Sequence, residues 1–137
     1  MKRKQFIGTT LLSLVLGKSI AGDSKKDKRM SELKKGTIIH IVYFWLKEGL
    51  SEEEENDFLR YFDVLKTIPQ VQTLNFGKPA ATTKRDVVDH SYAYNLICTF
   101  KNLEDISIYE NHPTHVAGAK KFSKYWTRVE VKDTHLM

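Results

Sequence analysis

Residues 37–46 read TIIHIVYFWL. The run is rich in β-branched and aromatic residues, which suit a pleated surface better than a helix, and it predicts a strand. Alternation puts Ile39, Ile41, Tyr43 and Trp45 on one face and Ile38, His40, Val42 and Phe44 on the other. Both faces are apolar, so both must be covered. That is a demanding requirement in a 137-residue chain, because a body of roughly 100 residues buries only about 60–65% of its unfolded surface.

Outward from this strand, residues 51–68, SEEEENDFLRYFDVLKTI, predict a helix. Ser51 and Glu54 form a capping box, the glutamates suit the positive end of the helix dipole, and Phe58, Phe62 and Leu65 recur at helical spacing beside Leu59. The glutamate run reads as a solvated helix start rather than a metal site. Pro69 ends the helix, and VQTLNFG (71–77) predicts a second strand. Residues 77–91 form a long polar connection, a mobile loop or a lid, in which His90 reads as a solvated residue. YAYNLICTF (92–100) predicts a third strand, residues 103–110 a short helix, Pro113 the start of a further helix, and WTRVEVKD (126–133) a fourth strand. This order gives an α+β, ferredoxin-like domain: one antiparallel four-stranded sheet with its helices on one face. Helices then cover only one side of the first strand. Its second apolar face implies another layer, most simply a second copy of the same sheet.

In the other direction, MKRKQFIGTTLLSLVLGKSIAG begins with Lys2, Arg3 and Lys4 and continues into a mostly apolar run from Phe6 to Leu16. Ser19 and Ala21 are small residues at the positions a signal peptidase reads, and the run is too short to span a bilayer comfortably. Residues 1–21 therefore predict a signal peptide, and the mature chain an exported, periplasmic or secreted protein with no stable membrane anchor. RKQFI resembles a twin-arginine export motif with lysine in the second arginine position. Residues 22–35, GDSKKDKRMSELKK, predict a polar tether before a domain at 36–137. Charge follows the same division. Residues 1–35 hold ten Lys/Arg and three Asp/Glu, whereas 36–137 hold twelve and fourteen. The folded body is slightly acidic, which argues against nucleic-acid binding. The single Cys98 reads as a buried structural thiol.

YENHPTHV (109–116) concentrates the chemistry. His112 and His115 lack the further ligands that zinc needs, and Pro113 drives its predecessor out of helical geometry, so no metal is expected. Two readings remain. In one, Pro113 opens a helix, His112 sits at a helix junction and the pair is structural. In the other, His115 at a helix N-terminus is held neutral and accepts a proton near pH 7, with Tyr109 as a hydrogen-bond donor. His40 would then be a polar group in an apolar cavity. His135, near the C-terminus, reads as inert.

IIHIVYF with His40, IPQVQTLNFGK, YNLICTF and above all YENHPTHV resemble the stress-responsive A/B barrel domain, or dimeric α/β-barrel (Dabb), family over about residues 35–134. The resemblance implies a homodimer whose two sheets close into one barrel. It also implies cofactor-independent chemistry of the kind used by a polyketide cyclase of that family, with the catalytic tyrosine at Tyr109 and the catalytic histidine at His115. His40 and His112 match further family histidines. Tyr94 stands where that cyclase has another histidine, so polyketide cyclisation does not transfer with the motif. The expected site is catalytic His115 and Tyr109 with His40, Tyr94 and His112 binding substrate, no cofactor, and a small apolar or carbonyl-containing ligand. The alternative is a non-catalytic, stress-related binding or structural module.

Overall fold

Strand β1 (Ile38–Leu46) holds an inner place in the sheet, and its helix-side row Ile38, His40, Val42 and Phe44 is buried. The computed structural model describes residues 32–137; the expected leader and most of the expected tether lie outside the described residues. After β1 come α1 (Glu52–Lys66), β2 (Thr73–Gly77), β3 (Tyr94–Phe100), α2 (Leu103–Asn111), α3 (Pro113–Phe122), a 3-10 turn (Ser123–Tyr125) and β4 (Trp126–His135). The sheet runs β2-β3-β1-β4 with every neighbour antiparallel. This is the ferredoxin-like α+β fold.

Local chemistry sets each helix start. Gly49, at φ +76°, turns the chain out of β1, a conformation glycine adopts without steric cost. Ser51 then caps α1: its Oγ accepts from the Glu54 N–H at 3.2 Å, while the Glu54 carboxylate accepts from the Ser51 N–H at 2.8 Å. Asn102 caps α2 by accepting from the Asp105 N–H at 2.8 Å. His112 ends α2 and begins α3 with extended backbone angles, φ −64° and ψ 134°, as expected for a residue before proline. Pro113 takes the first helical position, where its missing N–H costs nothing.

All three helices pack on one side of the sheet. Phe44 lies at the centre, with ring centroids 5.3 Å from Phe58, 5.7 Å from Phe62 and 5.3 Å from Trp126. Such edge-on and tilted aromatic contacts add roughly 0.5–1.5 kcal/mol each beyond area burial. Cys98 is fully buried beneath this layer, and burial pushes its thiol up to about 12.

Some boundaries differ from the sequence expectation. β2 begins at Thr73 and β3 at Tyr94, each two residues late, and β4 continues to His135. Tyr92 leaves the ladder because its ring packs on Tyr43 at 4.9 Å, although the Ala93 N–H still donates to the Phe44 carbonyl at 2.8 Å. The connection between β2 and β3 thereby reaches the back of the sheet, where Ser91 Oγ accepts from Trp45 Nε1 at 2.9 Å. His90 is half-buried and shares a 3.0 Å hydrogen bond with Thr82. The back row Ile39, Ile41, Tyr43 and Trp45 is only half-buried, with Ile97 of β3 exposed beside it. Part of the second apolar face is thus covered by the chain's own loop.

α3 crosses α1 at Gly118. A Cβ there would lie 2.8 Å from Tyr61 Cε2, and Tyr61 is wedged against Phe122 and Trp126 at 5.1 and 5.8 Å. Overpacking of this kind costs about 1–3 kcal/mol, against a helix-propensity gain of about 1 kcal/mol for alanine over glycine. Gly118→Ala is therefore expected to lower stability by about 1 kcal/mol in denaturant unfolding; an increase would show that the Tyr61 ring yields freely.

Candidate functional site

The helices cover β1, β2 and β3 better than they cover β4. Val129 and Val131 point to the helix side opposite Phe44 and Val42, yet they are 38% and 47% exposed. The gap above β4 is a cavity of about 550 Å³, floored by β1 and β4 and walled by α1, α2 and α3. A small organic molecule fits such a volume.

Register gives this cavity two unlike ends. In the β1–β4 ladder His40 faces Asp133, Val42 faces Val131 and Phe44 faces Val129. The polar end holds His40, Asp133, Tyr109, Glu110 and His115, and the other end is formed by Phe44, Val129, Tyr61 and Trp126. Trp126 reaches the cavity because of a bulge. The register shifts between Trp45 and Leu46, so that Arg128 faces Trp45 while Trp126 faces Leu46. Thr127 is the extra residue, and its hydroxyl donates to the Trp45 carbonyl at 3.2 Å. Without that shift, strict alternation would send Trp126 to the back of the sheet.

At the polar end, His40 is 5% exposed, and its Nδ1 lies 2.6 Å from Asp133 Oδ1. The carboxylate accepts from Nδ1–H, which leaves Nε2 as the second ring nitrogen of His40. Tyr109 is 1% exposed; its ring lies 5.9 Å from His40 and 4.7 Å from His115, measured between centroids. No hydrogen bond joins the Tyr109 hydroxyl to His115 among the described residues. Burial holds His115 below its usual value of 6.5, and the nearby His40 adds to this, while the Glu110 backbone and carboxylate act in the opposite direction. Burial also drives the Tyr109 hydroxyl well above the ordinary tyrosine value, keeping it protonated as a donor.

Of the five residues singled out in the sequence, His40, Tyr109 and His115 meet at this end of the cavity. Tyr94 does not line it. Although on the same face of the sheet, it packs against Phe58 at 5.8 Å, donates its hydroxyl to Glu55 and carries Lys78 Nζ 5.0 Å over its ring. His112 does not line it either; its Nδ1 accepts from the Thr114 N–H at 3.2 Å, capping α3. Asp133, Glu110, Tyr61 and Trp126 join the cavity without having been singled out. Only Asp133 had a legible signal, being on the strand that pairs with β1, but its position opposite His40 depends on register. Among the described residues no cluster of three or more His, Cys, Asp or Glu could hold a metal ion.

Olivetolic acid cyclase from Cannabis sativa is 22% identical over 97 residues, which cover 70% of this chain and 93% of the cyclase. The hydroxynitrile lyase of Passiflora edulis superposes with a TM-score of 0.65 at 19% identity, covering 76% of this chain and 96% of the lyase. A dimeric protein of ferredoxin-like fold from Bacteroides fragilis gives a TM-score of 0.57 at 22% identity, over 74% of this chain and 98% of that one. The likeness to these two solved structures establishes the fold. The model of the Stress Responsive A/B Barrel Domain matches residues 38–135, and the chain belongs to that family.

Proposed function

We propose that this protein binds a small carbonyl-containing molecule in the cavity and carries out cofactor-independent acid–base chemistry on it, of lyase or cyclase type. The observation that carries this reading is the meeting of His115, Tyr109 and His40 at the polar end of a cavity whose other end is mainly aromatic and aliphatic. A half-buried imidazole biased toward its neutral form accepts a proton from carbon beside a carbonyl, and a protonated tyrosine hydroxyl stabilises the oxygen on which charge develops. His40, oriented by Asp133, positions the substrate. The cyclase and lyase names of two relatives support this class of chemistry.

His115→Ala is expected to keep the fold and lower turnover about a hundredfold or more, the effect of a lost general base. Tyr109→Phe preserves ring packing and is expected to cost less. His112→Ala removes a helix cap and is expected to cost about 1 kcal/mol of stability with little change in rate. Turnover and melting temperature of the three variants, measured on aldehyde, ketone and cyanohydrin substrates, check this. Unchanged turnover in His115→Ala would overturn the assignment.

The direction of the His115 shift also sets a pH dependence. Its folded-state value lies below 6.5, so the folded state binds fewer protons than the unfolded one. The associated stability is complete above 6.5 and is lost as pH falls through the lowered value. Activity requiring the neutral ring falls over the same window. NMR titration of the His115 ring is expected to give a midpoint below 6.5, and a midpoint above it would contradict the assignment.

A second reading, a ligand-binding module without turnover, draws on the absence of a hydrogen bond between Tyr109 and His115. Unlike the enzymatic reading, it predicts ligand retention with no product.

The mature protein is, on this proposal, exported and dimeric through the back face of the sheet. The half-covered row Ile39, Ile41, Tyr43 and Trp45, with exposed Ile97 beside it, supplies an apolar surface for a second copy, and the Bacteroides relative is dimeric. Protein recovered outside the cytoplasm is expected to begin near residue 22 and to scatter light as a dimer at micromolar concentration. An intact leader would refute export, and a stable monomer would refute the interface.

A further inference from the structure

We propose that the cavity discriminates by charge, accepting neutral or cationic ligands and rejecting anionic ones, with Glu110 and Asp133 as the residues that set the preference. This rests on the cavity being a ligand site and names the class of substrate it takes. The lining contains two carboxylates and no lysine or arginine. Both carboxylates lie at the polar end, beside the His40, Tyr109 and His115 side chains that would meet a ligand's polar head. Glu110 follows Tyr109 directly in α2, and its charge acts on both the Tyr109 hydroxyl and the His115 ring. Asp133 is fixed against His40, with its side chain 46% exposed.

Apart from His40, which pairs with Asp133 at 2.6 Å, the basic side chains nearby are directed elsewhere. Arg128 and Lys132 of β4 alternate onto the back of the sheet, where both pair with Glu130, at 2.5 and 3.2 Å. Arg128 lies over the Trp45 ring at 4.1 Å and Lys132 over Tyr43 at 5.7 Å. Lys120 and Lys121 of α3 are exposed and do not line the cavity. His115, biased toward its neutral form by burial, adds no compensating charge. A carboxylate or phosphate ester entering this end meets two like charges in a partly desolvated space, and a neutral ketone, aldehyde or nitrile does not. Because both carboxylates are partly solvated, the discrimination is set at about tenfold rather than at the much larger values of a dry interior.

The test uses three ligands of one shape: hexanophenones bearing a para carboxamide, a para carboxylate or a para aminomethyl group. They are titrated into the intact protein by calorimetry at pH 7.5. The carboxamide and the aminomethyl compound are expected to bind, and the carboxylate about tenfold or more weakly. Raising the salt concentration narrows the gap, and Glu110→Gln combined with Asp133→Asn removes most of it. A carboxylate that binds as tightly as the carboxamide would overturn the proposal while leaving the cavity a ligand site. A gap that persists in the folded double variant would assign the discrimination to shape and also overturn it. Failure of all three to bind would overturn the cavity reading and this one with it.

Discussion

The ladder between β1 and β4 carries more of this structure than its place at one side of the sheet suggests. Its register places an exposed carboxylate, Asp133, opposite the one imidazole in the buried row of β1. An unpaired imidazole in that row would face the cost of burying a polar group without a partner, roughly 1–3 kcal/mol. With Asp133 opposite, His40 stays in the core and still faces the cavity. The same ladder then sets Val131 and Val129 along the floor, and its bulge turns Trp126 inward to close the far end. A slip of one residue would send Asp133, Val131 and Val129 to the back of the sheet together.

Much of the fold was legible because local and long-range signals agree. TIIHIVYFWL is a strand by composition, SEEEEND carries a complete capping box, and HP opens a helix, so element types and order follow from short stretches. The ends of β2 and β3 were less legible. Tyr92 looks like strand sequence, yet it is drawn from the ladder by Tyr43, a contact between distant residues. The candidate site divides in the same way. His115 and Tyr109 stand six residues apart in a motif, and His40 is conspicuous in an apolar run. Asp133 and Trp126 take their roles from register and a bulge, which no local pattern states. Tyr94 shows the converse: position on the correct face of β3 does not decide which cavity a side chain reaches, because Glu55 and Lys78 hold it elsewhere.

His112 and His115 illustrate how one short motif serves two ends. Pro113 between them forces the backbone of His112 out of helical geometry and leaves its ring to cap α3. His115, in the first turn of the new helix, is carried into the cavity beside Tyr109 from the preceding one. The proline is what separates a capping histidine from a chemical one. A continuous helix through this segment would instead space the two rings along one surface.

β4 is an edge strand, and its outer side has no ladder partner among the described residues. The floor residues it contributes, Val129 and Val131, are also outside the buried core. The cavity is therefore built from parts under unequal packing constraint. Tyr109, His40 and Phe44 are committed to the hydrophobic interior, so exchanging them changes the fold as well as the site. Val129 and Val131 can vary in size with little penalty to folding, and each change alters the shape of the ligand that fits. A lineage carrying this domain can thus diversify what it binds by drifting along one strand while its polar end stays fixed.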